Sequence, residues 1–320
     1  MPTAVVAFGG NAFVPEGASG AHEEQAAAIE RMTHVVTDLY RLGYHVVVTH
    51  GNGPQVGALA IQQEEGAGLV PRQPLFVLDA MTQGQLGHLL TVAIRNQLGD
   101  AVPVSVLVTN VLVGLDDREF THPSKPIGPF YEPEEAQRLA RDRGWTVRRV
   151  SDRASRRVVA SPLPREVLEI DSVRALSDAG VLVVAGGGGG VPVVRGDGGR
   201  LRGVEAVVDK DRVACLLATA LGAELLVLVT GVTAVALDFG TAGERRVDEM
   251  TVDAARRHLD DGQFPAGSMG PKIESAIDFV VAGGELAIIT SDQFVTAALE
   301  GRHGTRIVAG PARGVRAAAV

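Results

Sequence analysis

The chain of 320 residues is 46% hydrophobic and 21% charged with a formal net charge of -8. That is enough apolar material for one large domain or two moderate ones, without the basic stripe that nucleic acid requires. A single cysteine, Cys215, excludes an intramolecular disulfide and fits a reducing, cytoplasmic setting. No apolar run approaches the roughly 20 residues of a membrane span.

The opening Met-Pro-Thr-Ala-Val-Val-Ala-Phe lacks a basic stretch and reads as a first strand, over 4–8, rather than a signal peptide. It runs straight into Gly9-Gly10-Asn11. A helix over 23–42 follows, then a strand over 45–49 that meets His50-Gly51-Asn52-Gly53-Pro54 and opens a helix over 54–64. The pattern next predicts a helix over 78–98 and a strand over 104–109. Residues 114–164 break the alternation. They hold a helix over 133–143 and two short alternating runs, 146–150 and 157–160, which pair as a hairpin on a protruding insertion. Beyond it come a helix over 171–179, a strand over 181–185 ending on Gly186 to Gly190, and a hairpin over 191–208 that turns at Gly-Asp-Gly-Gly. A helix over 211–221 contains Cys215, which reads as a small buried hydrophobe. The strand over 225–230, helices over 252–260 and 271–282, and a strand over 286–290 complete the order.

Several of these strands are apolar on both faces, as in buried parallel sheets. The alternation predicts an α/β fold, an open αβα sandwich around a mostly parallel sheet, with ligands beyond the carboxyl ends of the strands. A boundary near residue 220 divides it into 1–220 and 221–320 without a disordered linker.

The chemistry concentrates in the loops. One glycine-rich turn only shapes the chain, but three at the same end of one sheet favour anion binding by backbone N–H groups. None fits the Walker or the clean dinucleotide fingerprint. Lysines are few, and Lys125, Lys210 and Lys272 each sit in a Gly/Pro loop or at a helix start, where a compact ammonium suits a point contact to phosphate. Asp209 and Asp211 flank Lys210, as orienting carboxylates or as a helix cap. The histidines show no metal-binding pattern, and there is no GxSxG elbow.

Seven stretches in order resemble the carbamate kinases of the amino-acid kinase superfamily: Phe8-Gly-Gly-Asn-Ala, Thr49-His-Gly-Asn-Gly-Pro-Gln-Val-Gly, Asp79-Ala-Met-Thr-Gln-Gly-Gln-Leu-Gly, Pro123-Ser-Lys-Pro-Ile-Gly-Pro-Phe, Gly186-Gly-Gly-Gly-Gly-Val-Pro-Val, Gly203-Val-Glu-Ala-Val-Val-Asp-Lys-Asp and Phe264-Pro-Ala-Gly-Ser-Met-Gly-Pro-Lys. The resemblance implies an ATP-dependent kinase that converts carbamate reversibly to carbamoyl phosphate, with Mg²⁺ held mainly by nucleotide phosphates. It also implies a cytoplasmic homodimer in arginine metabolism, with no nucleic-acid or membrane partner. Residues 1–220 become the acid lobe, with the subdomain at about 114–164, and 221–320 the nucleotide lobe. Lys125, Lys210 and Lys272 are the implied catalytic lysines and Asp211 their organiser. Gly9, Gly10, Asn11, Gly51, Asn52 and Gly53 hold the phosphoryl group and the acid. Thr230, Gly231, Met269, Gly270 and Pro271 join Lys210 and Lys272 around the nucleotide. Two further readings stand beside this one: a sister kinase for another small acid, and a catalytically weak ligand-binding homologue. Where the family usually reads Thr-Asp-Val-Asp and then a tyrosine, this chain has Thr230-Gly-Val-Thr-Ala-Val-Ala. That loss of two carboxylates and an aromatic predicts weak ADP binding or loose nucleotide choice.

Overall fold

A computed structural model describes residues 1–14, 18–265 and 267–310, with the Asn11 side chain also outside the described set. In chain order the regular elements are β1 (Thr3–Phe8), α1 (His22–Arg41), β2 (His45–His50), α2 (Gly53–Gly66), α3 (Leu75–Leu98), β3 (Val104–Val106) and β4 (Asn110–Val113). The next are β5 (Lys125–Tyr131), α4 (Pro133–Arg143), β6 (Thr146–Ser151), β7 (Ala154–Val159), β8 (Pro164–Val167), α5 (Ile170–Asp178), β9 (Leu182–Val184), β10 (Val191–Arg195) and β11 (Leu201–Gly203). The last third holds α6 (Lys210–Leu221), β12 (Leu225–Val229), β13 (Val235–Leu237), β14 (Arg245–Val247), β15 (Glu249–Thr251), α7 (Val252–Asp260), α8 (Met269–Val281), β16 (Leu286–Thr290), α9 (Val295–Leu299) and β17 (Thr305–Val308).

An eight-stranded sheet in the order β15-β17-β16-β12-β1-β2-β9-β3 forms the centre. All its pairings are parallel except β16 with β17. β1 lies inside the sheet, hydrogen-bonded to β12 on one side and β2 on the other. Its side chains alternate between two cores. Val5 and Ala7 join the core under α6 and α8 with Val213, Leu217, Ile273 and Ile277. Ala4, Val6 and Phe8 join the core under α1 and α3 with Ile29, Met32, Leu86 and Leu90. Burial on both faces is why these strands read as continuous apolar runs. Each such Val or Leu contributes about 1.5–3 kcal/mol by leaving water.

Smaller sheets hang from this frame. β11-β10-β4-β8 forms one, and β5-β7-β6 forms the sheet of residues 125–159, with α4 packed on it. β6 and β7 pair antiparallel, Thr146 opposite Val158. The β5 strand rests directly on α2: a Cβ on Gly57 would lie 2.0 Å from the Gly128 Cα. Glu64 of α2 adds ion pairs to Arg143 at 2.5 Å and Arg157 at 3.2 Å, and accepts from Trp145 Nε1 at 2.9 Å.

The strand predicted over 104–109 ends early, at Val106, and a further strand that the sequence reading did not assign begins at Asn110. Val104–Val106 joins the main sheet, and Asn110–Val113 turns away into the smaller one. Gln83 marks the break, accepting from Thr109 N at 2.8 Å and donating to Thr109 O at 3.1 Å. The short strands β13, β14, β15 and β17 and the helix α9 lie where no periodicity over four or five residues announces them.

Candidate active site

The carboxyl ends of β1, β2 and β12 open into one cavity of about 430 Å³. Gly9, Gly10, Gly51, Asn52, Gly53, Thr230, Gly231, Lys125, Lys210, Asp211 and Lys272 all line it. Asn11 belongs to the short turn Gly10–Ala12 after β1, and its side chain lies outside the described residues. The glycine turns interlock: a Cβ on Gly51 would stand 2.7 Å from the Gly10 backbone nitrogen. Gly188 holds φ +68°, and a Cβ there would meet the Asn52 amide at 2.4 Å. A side chain at either position would force the turns that line the cavity apart.

Three helices begin at this cavity: α2 after Asn52, α6 after Asp209 and α8 after Ser268. Their N-terminal amides and dipoles favour negative charge there. Asp209 is the cap of α6, accepting from Asp211 N at 2.9 Å and Arg212 N at 3.4 Å. Its other oxygen receives Lys125 Nζ at 2.5 Å, which ties β5 to the main body. Asp211 spans the remaining pair, with Lys210 Nζ at 2.6 Å on Oδ1 and Lys272 Nζ at 2.9 Å on Oδ2.

The charges respond to this crowding. Burial works to raise the Asp211 carboxyl, but Lys210 and Lys272 outweigh it and hold the carboxyl below the ordinary range. Asp209 is held low in the same way, by Lys125 and Lys210 against burial. The two ammonium groups on Asp211 move apart. Burial, helped by the Lys272 charge, pushes Lys210 down to about 8 despite Asp211. For Lys272 burial also works downward, but Asp211 prevails and the group is raised. Lys210 is thus the first of the pair to release a proton as pH climbs. Three lysines against two aspartates leave the cavity cationic in an acidic chain. His50, at the end of β2, is fully buried against Phe13, and burial pushes it down to about 4, so it stands neutral.

These three are also the chain's only lysines; every other member of its 30 lysines and arginines is arginine. Sequence reading grouped them by their loop setting. It did not assign Asp209 to Lys125, a pairing that spans 84 positions. It also missed Arg156 on β7, which lines the same cavity, donates to Gly128 O at 2.6 Å and lies 5.0 Å over the Phe130 ring. In the alternating run over 157–160 and its neighbours, nothing distinguishes Arg156 from a solvated arginine.

A second cavity of about 470 Å³ adjoins the first and shares Thr230, Gly231, Ser268 and Lys272 with it. Met269 lines it, with Phe239, Glu244, Arg246 and Gln263. Gly270 is buried in the first turn of α8, and Pro271 faces a separate cavity beside Lys125 and Arg212. A larger cavity, about 940 Å³, lies at the other end of the sheet. It is lined by Glu224, Glu249, Glu285 and Glu300 against one cation, Arg306, which is paired with Glu249, and this acidic lining is unsuited to phosphate.

The model of the amino acid kinase family matches residues 2–291. A carbamate kinase from Thermococcus kodakarensis is 43% identical, the match covering 96% of this chain and 99% of that one. A structure of the Giardia lamblia carbamate kinase bound to citric acid superposes with a TM-score of 0.91 at 37% identity, covering 96% of this chain and 98% of the other. The Giardia enzyme bound to AMP-PNP gives 0.87 at 38% over the same shares. Likeness over nearly the whole length, in sequence and in fold, makes this chain a member of the carbamate kinase family within the amino acid kinases.

Proposed function

We propose that this protein is a carbamate kinase, which transfers a phosphoryl group reversibly between ATP and carbamate to give ADP and carbamoyl phosphate. One observation carries the reading: a chain that uses arginine everywhere else keeps lysine at three positions, and all three line one cavity at the ends of the glycine loops. Arginine suits planar bidentate contacts, whereas the compact ammonium of lysine is a point charge that can follow a phosphoryl group as its geometry changes.

Phosphoryl transfer needs in-line positioning and fixed positive charge more than covalent help. A carbamate oxygen attacks the γ-phosphorus while the bond to the β,γ-bridging oxygen breaks, with no phosphoenzyme. Lys272, which lines both cavities, and Lys210, which lines the first, are braced by Asp211 and neutralise charge on the transferring group. Lys125, braced by Asp209, approaches from the β5 side. Gly9, Gly10, Asn11, Gly51, Asn52 and Gly53 hold the acid and the phosphoryl group. The nucleotide occupies the second cavity along Thr230, Gly231 and Met269, with the N–H of Met269 at the α8 start turned to its phosphates, and with Gly270, whose N–H donates to Pro265 O, and Pro271, which has no N–H, shaping that first turn. Among the described residues no group of three or more His, Cys, Asp or Glu side chains could cage a metal, and lysines engage both cleft carboxylates. Mg²⁺ would be held by the nucleotide phosphates and would supply charge neutralisation there.

The same reading makes residues 1–220 the acid lobe and 221–320 the nucleotide lobe of a cytoplasmic homodimer that acts in arginine metabolism. No helix among the described residues is long and apolar enough to cross a membrane. Light scattering of the purified protein tests the dimer. The decisive assay couples ATP formation to ADP and carbamoyl phosphate. Sustained ATP production is expected; nucleotide binding without turnover would leave a ligand-binding homologue instead.

A further inference from the structure

An asparagine at a helix N-cap ordinarily folds its side chain back onto the first turn. Asn52 precedes α2 and does not: it makes no side-chain cap bond. Its amide nitrogen points into the protein, donating to Asp79 Oδ1 at 3.0 Å and to Thr82 Oγ1 at 2.9 Å. Chemistry dictates that direction. The single hydroxyl hydrogen of Thr82 goes to the Asp79 backbone carbonyl at 2.8 Å, so its oxygen can only accept from Asn52. Asp79 is fully buried, and burial holds its carboxyl well above the ordinary range. Its Oδ1 accepts from Asn52, and its Oδ2 has no partner among the described residues. Both amide hydrogens of Asn52 are spent inside the protein. What remains for the cavity that Asn52 lines is Oδ1, to which no described side chain or backbone group donates.

We infer that Asn52 Oδ1 is a locked hydrogen-bond acceptor that reads the amino group of the small acid, with Asp79 and Thr82 as the positioning residues that prevent the amide from turning over. This rests on the carbamate kinase reading and specifies which part of the substrate the site recognises. Carbamoyl phosphate and acetyl phosphate have nearly the same shape and differ in presenting an amino group or a methyl. An amide free to rotate would offer either end to the ligand. A locked carbonyl is left unpaired by the methyl, and sites of that kind reject the analogue strongly. A hydroxyl also donates, so the device separates carbamate from acetate-like acids and not from hydrogen carbonate.

The test compares kcat/KM for carbamoyl phosphate and acetyl phosphate as phosphoryl donors to ADP. The native protein is expected to prefer carbamoyl phosphate by about 100-fold or more. In Asn52→Ala that ratio shrinks at least about tenfold, chiefly through loss on carbamoyl phosphate. Thr82→Val keeps the side-chain shape but removes one of the two acceptors, and shrinks the ratio by roughly threefold. If acetyl phosphate turns over too slowly to follow, its inhibition constant against carbamoyl phosphate supplies the comparison. A ratio unchanged in both variants, with the native protein making ATP from carbamoyl phosphate, overturns the assignment of Asn52. Failure of the native protein to make ATP at all overturns the carbamate kinase reading instead.

Discussion

The two sides of the cleft, proposed above to take the acid and the nucleotide, are built to different tolerances. On the acid side, polar groups are buried and paired: Asn52, Asp79, Thr82, Gln83 and Thr109 are almost wholly enclosed, and glycine backbones touch one another. On the nucleotide side, Gly231, Val232, Phe239, Glu244 and Arg246 are exposed, and no atom lies within 4 Å of where a Cβ on Gly231 would sit. Asp238, the carboxylate that follows residues 231–236 in sequence, is engaged with Gln263, with which it exchanges two hydrogen bonds at 2.7 and 3.1 Å. The charged groups left on that wall are Glu244 and Arg246. Recognition of an acid of four heavy atoms leaves no room for error, whereas a nucleotide brings its own phosphates to the shared lysines and needs less from the wall.

The largest test of this contrast is at the shared centre. Lys272→Ala is expected to lower kcat by about 10²–10³ with the fold kept, because a fixed charge acts on the transition state more than on ground-state binding. A native-like kcat would remove Lys272 from the mechanism. Next comes the lax side. Gly231→Asp with Ala236→Tyr restores one of the two missing carboxylates and the aromatic, and should tighten ADP binding by roughly 10- to 150-fold, the worth of a charged hydrogen bond, read by calorimetry. Unchanged binding would mean that Glu244 and Arg246 already serve.

The third test uses pH. Lys210 in the free protein is pushed down to about 8, so kcat/KM for carbamoyl phosphate should fall about tenfold per unit above that value. Folding stability moves the other way. A lysine with a lower pKa folded than unfolded binds fewer protons when folded, so its contribution to stability improves from about 8 up to the ordinary lysine value. A rate that tracks thermal unfolding through this range would show that Lys210 titration is not the cause. The smallest pair of effects contrasts two glycines. Gly188→Ala strains a φ of +68° and strikes Asn52, costing about 1–3 kcal/mol, while Gly231→Ala should stay within about 0.5 kcal/mol in chemical denaturation. Equal costs would erase the distinction between the two sides.

The central strands and their order were readable because burial on both faces leaves apolar runs, and the glycines and lysines were readable because they stand apart from their neighbours. Contacts between distant segments were not. Asp209 is placed beside Lys210 by sequence, yet its partner Lys125 arrives from a subdomain strand. Asp79 and Thr82 lie on a helix whose pattern announces only amphipathic packing, so their hold on Asn52 emerges only once α3 packs beside α2. Gly270 and Pro271 sit next to Lys272 in sequence, but the turn of α8 sends Pro271 to a different cavity.

The scarcity of lysine gives the experimenter something rarely available. Apart from the N-terminal amine, every primary amine of the protein lies in the cleft. Amine-directed labels such as reductive methylation therefore need little mapping: their uptake beyond the N-terminal amine counts cleft groups alone, and its protection by ligand measures occupancy. A protease that cuts after lysine meets the bonds following Lys125, Lys210 and Lys272 and no others, and the first of these precedes Pro126 and resists cleavage. The intact protein should survive such a protease until the cleft itself comes apart, which makes the rate of that digestion a clock for the opening of this one region.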